Sequence, residues 1–380
     1  MFDRIFQHKI ILADQVRMEA YKKAIHEVVK KGDVVADIGT GSGILAFFAV
    51  QAGAKKVYAV EQDEVIEEAK KLAKKNGLDK RIVFIKGRSD RVEVPEKVDV
   101  IISELIGFFG LEENLHRFKI DARKRFLKPG GRLIPSWLEL FLVPVESEAI
   151  LKDHIRVWSS NYYGCDFSPV RGSAVSQRYV TDCSGKTKSL APPAMISRIN
   201  FHEIEKVPAV SRGEFVINKN GVFHGLVGYF QAGLSPSVVL STSPENPLTH
   251  WKQTFFPLKK GVMVKEGDEV GCKIIAIPYG GVLFWQWETG VSRKGYETAR
   301  FSQNNLSLRK EELAIRKKDF KPSLTSEGEV CRRVFELCDG KRTTEDIAEI
   351  LWKEYPKEFK DTKEVLEVVV GIVRGKTKIS

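Results

Sequence analysis

From Val34 to about Val145 the chain alternates short apolar runs rich in β-branched residues with segments of helical periodicity. The apolar runs are VVADI, KVYAV, RIVFIKG, VDVIISE and GRLIPS. The helical pattern GILAFFAVQAG lies between the first and second runs, and EVIEEAKKLAKKNG lies between the second and third. Strands that alternate with helices build a parallel sheet covered by helices on its faces. The pattern predicts a doubly wound α/β domain, to which we assign residues 1–135.

A further helical pattern precedes the first strand. Apolar residues recur at helical spacing from Leu12 to Lys31, and Gly32 follows two lysines. Lysines suit the negative end of the helix dipole, and glycine is a common C-cap residue. We therefore predict a helix that packs on the entrance to the sheet.

After Pro135 the pattern changes to short alternating runs such as LELFLVPV, GVFHGLVGYF, VGCKIIAIP and GVLFWQW, separated by Gly, Pro and Asn. Such runs are typical of an antiparallel barrel or sandwich, and we assign residues 136–305 to a β-barrel domain. Residues 154–190, aromatic in WSSNYYGCDF, are predicted to leave this domain as an arm. Residues 306–380 return to helical patterns and are predicted to form a small third domain.

Composition and charge narrow the class of protein. The chain is 43% hydrophobic and 29% charged, within the range of folded proteins. Its apolar stretches are too short for membrane helices and its N-terminus lacks the apolar core of a signal peptide, so we predict a cytoplasmic protein. Five cysteines without a CxxC pair favour reduced thiols over disulfides or a zinc site. The net charge of +11 is spread among mixed charges and is only a weak indication of acidic partners.

The first candidate for chemistry is the glycine-rich loop between VVADI and the next helix. Asp37 is followed by Gly39, Gly41 and Gly43, which permit a tight turn and a close approach of a ligand to the backbone. The next strand ends in Glu61, where a carboxylate can accept both hydroxyls of a ribose. The GxGxG spacing after Asp resembles the S-adenosylmethionine loop of class I methyltransferases more than a dinucleotide loop. A nicotinamide-type or empty site is the alternative.

The segment Gly87-Arg88-Ser89-Asp90 follows the third strand. In class I methyltransferases this position usually contacts adenine. The resemblance implies that Ser89 and Asp90 bind the adenine, with Asp90 accepting a hydrogen bond from its amino group, and that S-adenosylmethionine is the cofactor.

Two glutamates follow the fourth strand. Glu104 directly follows VDVIIS, and Glu113 lies nine residues later, after the loop LIGFFGLE. Open α/β sheets bind their ligands beyond the carboxyl ends of the strands, so two carboxylates across a turning loop can converge on one cation. The alternative is a pair of surface acids, with Glu113 at a helix N-terminus.

These motifs together resemble the protein arginine methyltransferases. SELIGFFGLEE resembles the double-E loop of that family, and Thr249-His250-Trp251 resembles its THW loop. HKIILADQVRMEAY matches the family helix that brings Asp14 and Arg17 to the site. The resemblance runs from about His8 to about Trp287 and covers both large domains.

The resemblance implies a role for each matching residue. Glu104 and Glu113 would hold the guanidinium of an acceptor arginine, Arg17 would pair with the methionyl carboxylate of the cofactor, and His250 with Asp14 would help to remove the proton. A structural histidine at a domain interface is the alternative for His250. The segment WSSNYYGCDF would be a dimerisation arm, so that a head-to-tail homodimer acting on a protein or peptide is implied.

The chain also departs from the family. MFDRIFQH does not contain the N-terminal YFxxY element, so the cover over the cofactor would be absent or rebuilt around Phe2 and Phe6. Glu112 beside Glu113 leaves open an acceptor other than a peptidyl arginine, such as another amine on a peptide. A non-catalytic S-adenosylmethionine-binding scaffold is a further alternative. Nucleic-acid methylation is disfavoured, because no [ND]PP[YFW] motif and no Pro-Cys pair is present.

The C-terminal residues have a different resemblance. LCDGKRTTEDIAEIL and the final helix from Thr362 are similar to the small winged-helix peptide chaperone of pyrroloquinoline quinone biosynthesis, which also serves as a recognition element in peptide-modifying enzymes. The resemblance implies that a ribosomally made peptide docks there, as an added strand beside a helix. A plain helical cap and a DNA-binding winged helix are the alternatives, although DIAEILWKEY is acidic and apolar for a DNA reader.

Overall fold

The computed structural model describes residues 2–113, 115–206, 209–279, 282–304, 319, 321–356 and 358–376. The chain divides into two compact units, Met1–Leu306 and Ser307–Ser380. The first unit carries a five-stranded parallel sheet and antiparallel sheets of seven, four and two strands. Buried side chains of the three largest sheets form one continuous apolar core. The second unit is a cluster of helices.

Two helices precede the parallel sheet, α1 (Phe2–Ala13) and α2 (Gln15–Val28). The single helix predicted from Leu12 to Lys31 is therefore wrong in its bounds. Asp14 separates the two helices because its backbone is extended and its carboxylate accepts a hydrogen bond from the backbone N–H of Arg17 at 3.0 Å. An aspartate that caps a helix in this way fixes where α2 begins.

The parallel sheet has the strand order β3-β2-β1-β4-β5. Its strands are β1 (Val34–Ile38), β2 (Lys56–Glu61), β3 (Ile82–Lys86), β4 (Val98–Ser103) and β5 (Leu127–Ile134), and its helices are α3 (Ile44–Gln51), α4 (Val65–Lys75) and α5 (Leu115–Phe126). The predicted class I methyltransferase-like sheet is confirmed. The strand order changes direction between β1 and β4, and ligands of open α/β sheets bind beyond the carboxyl ends of strands at such a point.

Residues after Pro135 form two larger antiparallel sheets. One contains β6 (Trp137–Glu146), β9 (Tyr179–Thr181), β10 (Lys188–Ser189), β11 (Ala194–Asn200), β13 (Gly221–Gly233), β14 (Val239–Ser241) and β15 (Gln253–Val264), and the other β12 (Val210–Val216), β16 (Glu269–Tyr279), β17 (Val282–Arg293) and β18 (Tyr296–Asn304). The prediction of an antiparallel domain is confirmed, but the prediction of a closed barrel is wrong. Among the described residues β11 and β12 belong to different ladders, so hydrogen bonds do not close the sheets into one barrel.

The segment between β6 and β9 projects from this domain. It contains α6 (Glu148–His154), the hairpin of β7 (Asn161–Tyr162) and β8 (Cys165–Asp166), and α7 (Arg171–Ala174). Tyr163 at the hairpin tip is fully exposed, and Phe167 is partly exposed. We call residues 154–178 the arm. The predicted bounds of 154–190 were too wide, because β9 and β10 belong to the seven-stranded sheet.

The second unit consists of α8 (Ser326–Leu337), α9 (Thr344–Glu354) and α10 (Thr362–Lys376). Apolar side chains from all three helices, such as Val334, Leu351 and Val369, form its core. Thr343 begins α9 with a reciprocal capping box that it shares with Asp346. The described residues of this unit contain no strand, so the wing of a winged helix is not among them.

Two further predictions concern the environment of the protein. Within the residues that the structure describes, no helix is both long enough and apolar enough to cross a membrane. All five cysteines are unpaired, and Cys183 and Cys272 are buried. Burial raises the pKa of each of these two thiols to about 12. The cytoplasmic location stays a prediction.

Candidate active site

A pocket of about 340 Å³ lies at the carboxyl ends of β1, β2 and β4. Some of the residues that line the pocket were predicted from the sequence as site residues, and others were not. The predicted ones are Gly39, Gly41, Glu61, Ser89, Glu104, Glu113 and His250. The others include Gln7 and His8 from α1, Asp63 and Phe118. The glycine loop, both glutamates and the THW histidine therefore face one cavity.

The glycine loop forms the floor of this pocket through residues with positive φ. Gly39, Gly41 and Gly43 have φ values of 74°, 54° and 87°. A Cβ atom at Gly41 would lie 2.7 Å from Cε1 of His8, and one at Gly39 would lie 2.8 Å from Leu105. The positive φ values favour glycine at all three positions, and a side chain at Gly39 or Gly41 would also have to displace the end of Leu105 or His8.

The same contacts show how α1 covers the loop. Gln7, His8 and Ile11 lie on the pocket wall, where the sequence analysis expected an aromatic cover rebuilt around Phe2 and Phe6. Phe6 is instead 57% exposed, and the side chain of Phe2 lies outside the described residues. Burial lowers the pKa of His8, which favours the neutral ring over the glycine loop. The only signal in the sequence was the position of His8 six residues before Asp14.

Glu61 and Asp37 fix the shape of the loop. Both oxygens of Glu61 accept backbone hydrogen bonds, from Gly41 at 3.0 Å and from Asp63 at 2.8 Å. Asp37 is fully buried, and its Oδ2 accepts a hydrogen bond from Thr40 at 2.5 Å. Burial raises the pKa of Asp37 to about 7, although the Thr40 hydroxyl opposes the shift. Its Oδ1 has no hydrogen-bond partner among the described residues.

These observations test whether the pocket fits S-adenosylmethionine. The buried, unpartnered Oδ1 of Asp37 calls for a donor, which the amino group of the methionyl end would supply. Gly39 and Gly41 both line the pocket, so a ligand there meets no side chain of the glycine loop at these two positions. Glu61 lines the pocket, where its carboxylate could accept hydrogen bonds from the hydroxyls of a ribose. The residues present fit the cofactor.

The adenine end differs from the prediction in one residue. Ser89 lies on the pocket wall, but Asp90 is not among the lining residues. Asp90 instead accepts hydrogen bonds from Arg88 at 3.0 and 2.6 Å, and Arg117 lies 3.4 Å away. These contacts lower the pKa of Asp90 and keep its carboxylate paired with arginine.

Residues 104–113, which we call the acceptor loop, connect β4 to α5. Glu104 is held by Arg17, whose Nε and Nη2 donate to the same carboxylate oxygen at 3.0 and 2.6 Å. The other oxygen accepts a hydrogen bond from the backbone N–H of Ile106 at 3.2 Å. The prediction assigned Arg17 to the cofactor carboxylate, whereas the structure pairs Arg17 with Glu104.

Glu113 reaches the same pocket without a cationic partner among the described residues. Its side chain lines the pocket and keeps an exposed fraction. Burial, followed by the negative charges of Glu104 and Glu112, raises the pKa of Glu113 to about 8. The two convergent carboxylates therefore differ, since one is ion-paired and the other is largely protonated at neutral pH.

The THW loop connects the antiparallel domain to both α2 and the acceptor loop. Oδ2 of Asp14 accepts from the backbone N–H of His250 and lies 2.8 Å from its ring Nδ1. Although burial opposes it, hydrogen bonds from His250 and Arg17 lower the pKa of Asp14. Trp251 is buried and donates from Nε1 to the carbonyl of Ile106 at 2.7 Å. The predicted Asp14–His250 pair is therefore present, and Trp251 anchors the acceptor loop.

Comparisons with known proteins agree with this geometry. The family model "Arginine methyltransferase oligomerization subdomain" matches residues 138–279, and the model "Ribosomal protein L11 methyltransferase (PrmA)" matches residues 21–138. A probable protein arginine N-methyltransferase 6 of Arabidopsis thaliana is 33% identical over 294 residues, which are 65% of this chain and 67% of that protein. Neither family model extends beyond residue 279, so the resemblance of the C-terminal unit to a peptide chaperone stays a prediction.

Solved structures show the same similarity. The Trypanosoma brucei PRMT1 enzyme–prozyme heterotetramer with AdoHcy has a TM-score of 0.71 at 25% identity, covering 78% of this chain and 96% of that one. Arabidopsis thaliana protein arginine methyltransferase 10 has a TM-score of 0.68 at 27% identity, covering 79% and 98%. AdoHcy is what S-adenosylmethionine becomes after methyl transfer, so that protein binds the product form of the cofactor predicted for this chain. The chain therefore belongs to the protein arginine N-methyltransferase family, the enzymes that transfer a methyl group from S-adenosylmethionine to arginine residues of proteins.

Proposed function

We propose that Glu104 and Glu113 hold the guanidinium of the acceptor arginine in the pocket that also binds S-adenosylmethionine. The observation that carries the proposal is that both carboxylates line one cavity with the glycine loop and Glu61. Carboxylates make strong, directional hydrogen bonds to a guanidinium. A group held from two sides also has a fixed orientation toward its reaction partner.

The chemistry explains why two acids are needed. A guanidinium has a pKa above 12 and offers no free lone pair on nitrogen. Glu104 and Glu113 would draw the positive charge toward two of the nitrogens and leave the third richer in electrons. When bound, the cofactor supplies an electrophilic methyl group on sulfur. Glu113 must be ionised for this role, so deprotonation of Glu113 accompanies acceptor binding.

His250 and Asp14 are proposed to take the proton that the methylated nitrogen loses. Asp14 holds the Nδ1 side of the ring at 2.8 Å, and His250 lines the same pocket as Glu113. An anchored carboxylate orients the ring and stabilises its protonated form.

The cofactor would be held by the residues around the glycine loop and by the adenine segment. We propose this set to be Arg17, Asp37, Gly39, Gly41, Gly43, Glu61, Ser89 and Asp90. Arg17 would then serve both the methionyl carboxylate and Glu104, since a guanidinium has five N–H donors. Asp90 would reach the adenine only after it exchanges one of its arginine contacts.

We also propose a binding partner for the arm and one for the second unit. The arm lies inside the match to the oligomerisation subdomain and exposes Tyr163 and Phe167, which supports a homodimer. The sequence resemblance of residues 306–380 supports docking of a ribosomally made peptide on the second unit. These three helices have their own core and would present a binding surface.

Charge-removing variants of the two glutamates test the proposal. Glu104→Gln and Glu113→Gln keep the shape of each side chain and remove its negative charge. We expect kcat to fall by roughly 10²–10³ in each variant, as happens when a preorganised electrostatic contact is lost. S-adenosylmethionine affinity, measured by calorimetry, should change little in Glu113→Gln. Methyl transfer at the normal rate in the doubly substituted variant would show that the acceptor is held elsewhere.

A further inference from the structure

Glu112 is adjacent to Glu113 in the chain, but its carboxylate is used differently. It is not among the residues that line the pocket. Its Oε1 and Oε2 accept from the backbone N–H of Phe109 at 3.1 and 3.0 Å, and Oε1 also accepts from Nε1 of Trp285 at 3.2 Å. The extra acid of the double-E motif therefore binds to the antiparallel domain.

An arginine completes this arrangement. Nη2 of Arg178 lies 3.2 Å from Oε1 of Glu112, and the two side chains are only 15% and 12% exposed. Nε and Nη1 of Arg178 are buried and have no hydrogen-bond partner among the described residues. Glu112 is therefore the group that balances the charge of Arg178 within the described part of the chain.

The acceptor loop is folded tightly over Glu112. A Cβ atom at Gly107 would lie 2.5 Å from Oε2 of Glu112 and 2.8 Å from its backbone nitrogen. Phe109, which donates to Glu112, packs edge-on against Phe256 and Trp285 with ring centroids 5.4 and 5.3 Å apart. A shift of Glu112 would thus move the loop that carries the neighbouring Glu113.

We propose that Glu112 is a positioning residue, which fixes the acceptor loop and sets the charge state of Glu113, with Arg178 as its counter-ion. This inference rests on the proposed function, in which Glu113 holds the acceptor. Arg178 lies between α7 of the arm and β9, so the ion pair also connects the returning end of the arm to the acceptor loop.

The electrostatics support a role beyond packing. The charged groups that act on Glu113 are Glu104 and Glu112, which raise its pKa, and Arg17, which lowers it. Arg178 reduces the field of Glu112 by pairing with it. Removing the charge of Glu112 should therefore make Glu113 easier to ionise, whereas removing Arg178 should make it harder.

Steady-state kinetics across pH 6 to 9.5 with an arginine peptide test the inference in the full-length chain. The variants are Glu112→Gln, whose amide oxygen keeps both N–H contacts, Arg178→Met, and the doubly neutral combination. Trp285→Phe is the matched control, because it removes one hydrogen bond to Glu112 but no charge. Affinity for S-adenosylmethionine, measured by calorimetry, reports whether each variant folds.

We expect opposite movements of the rising limb of kcat/KM, which reports groups of the free enzyme. It should move to lower pH in Glu112→Gln and to higher pH in Arg178→Met, each by about 0.5 to 1 pH unit for charges in partly buried surroundings. The doubly neutral variant should lie between the two single variants, since its two changes act in opposite directions, and Trp285→Phe should leave the limb in place. KM for the peptide should rise about three- to ninefold in Arg178→Met at pH 7, since Glu113 is then ionised in fewer molecules.

Coincident pH profiles in all variants, with Glu113→Gln inactive, would overturn the inference and leave the proposed function standing. Normal activity of Glu113→Gln would instead refute the proposed function. If one single variant fails to bind S-adenosylmethionine, the other single variant decides. A limb that moves in the direction expected for that variant supports the inference, and an unmoved limb refutes it.

Discussion

Binding of an acceptor arginine should release a proton from Glu113 at neutral pH. The pKa of Glu113 is raised to about 8, so about nine-tenths of this carboxyl is protonated at pH 7 and about one-tenth at pH 9. A guanidinium brings a positive charge that favours the ionised form. We therefore expect about 0.9 protons to be released per peptide bound at pH 7 and about 0.1 at pH 9.

The sign of the pH dependence follows from the same shift. Because the pKa is raised, the form that binds the acceptor is scarce at neutral pH and becomes dominant above pH 8. Peptide affinity should therefore rise about tenfold between pH 7 and its plateau. Arginine itself does not titrate in this range.

Calorimetry in two buffers with different heats of ionisation measures the number of protons released. The enzyme is saturated with S-adenosylhomocysteine so that no turnover occurs, and the peptide contains one arginine and no histidine. Glu113→Gln is the control, since it removes the titrating group. A release below about 0.2 protons at pH 7, or the same release in Glu113→Gln, would refute the assignment of the shifted pKa to acceptor binding.

Three further predictions address the cofactor, the assembly and the second unit. Gly41→Ala should weaken S-adenosylmethionine binding at least tenfold, because the new Cβ would lie 2.7 Å from His8 and φ at this position is +54°. Calorimetry measures the affinity, and an unchanged affinity would contradict the prediction. Deleting residues 158–167 should give a monomer in sedimentation analysis, and an intact protein that is itself monomeric would disprove the dimer. Truncation after Lys321 should raise KM for a peptide that docks on the second unit but spare methylation of a short arginine peptide at saturation, and an unchanged KM would remove the docking role.

The parallel sheet and its ligand site could be predicted because their determinants are local. Each apolar run predicts a strand, and the carboxyl ends of parallel strands meet at one edge of a sheet. Gly41, Glu61 and Glu104 follow strands directly, so their positions in the chain place them together. The structure brings all three to one pocket.

The contacts of the side chains could not be predicted from position alone. Glu112 and Glu113 are neighbours in the sequence, yet one faces the antiparallel domain and the other faces the pocket. That difference depends on Trp285 and Arg178, which lie far along the chain. The prediction of a closed barrel was wrong for a similar reason. Alternating runs predict strands, but they do not show which edge strands pair.

The contact between Arg17 and Glu104 also explains how the site tolerates two convergent acids. Like charges in a partly buried pocket repel each other, and an unpaired charge there is costly. Glu104 avoids the cost through Arg17 at 2.6 Å, and Glu113 avoids it by keeping its proton at neutral pH. An arriving guanidinium replaces the proton of Glu113 but leaves Arg17 in place. The pH dependence of the enzyme should therefore appear mainly in acceptor binding. Cofactor binding should change only about twofold between pH 7 and 9, because Asp37, whose pKa is raised to about 7, is already half ionised at pH 7.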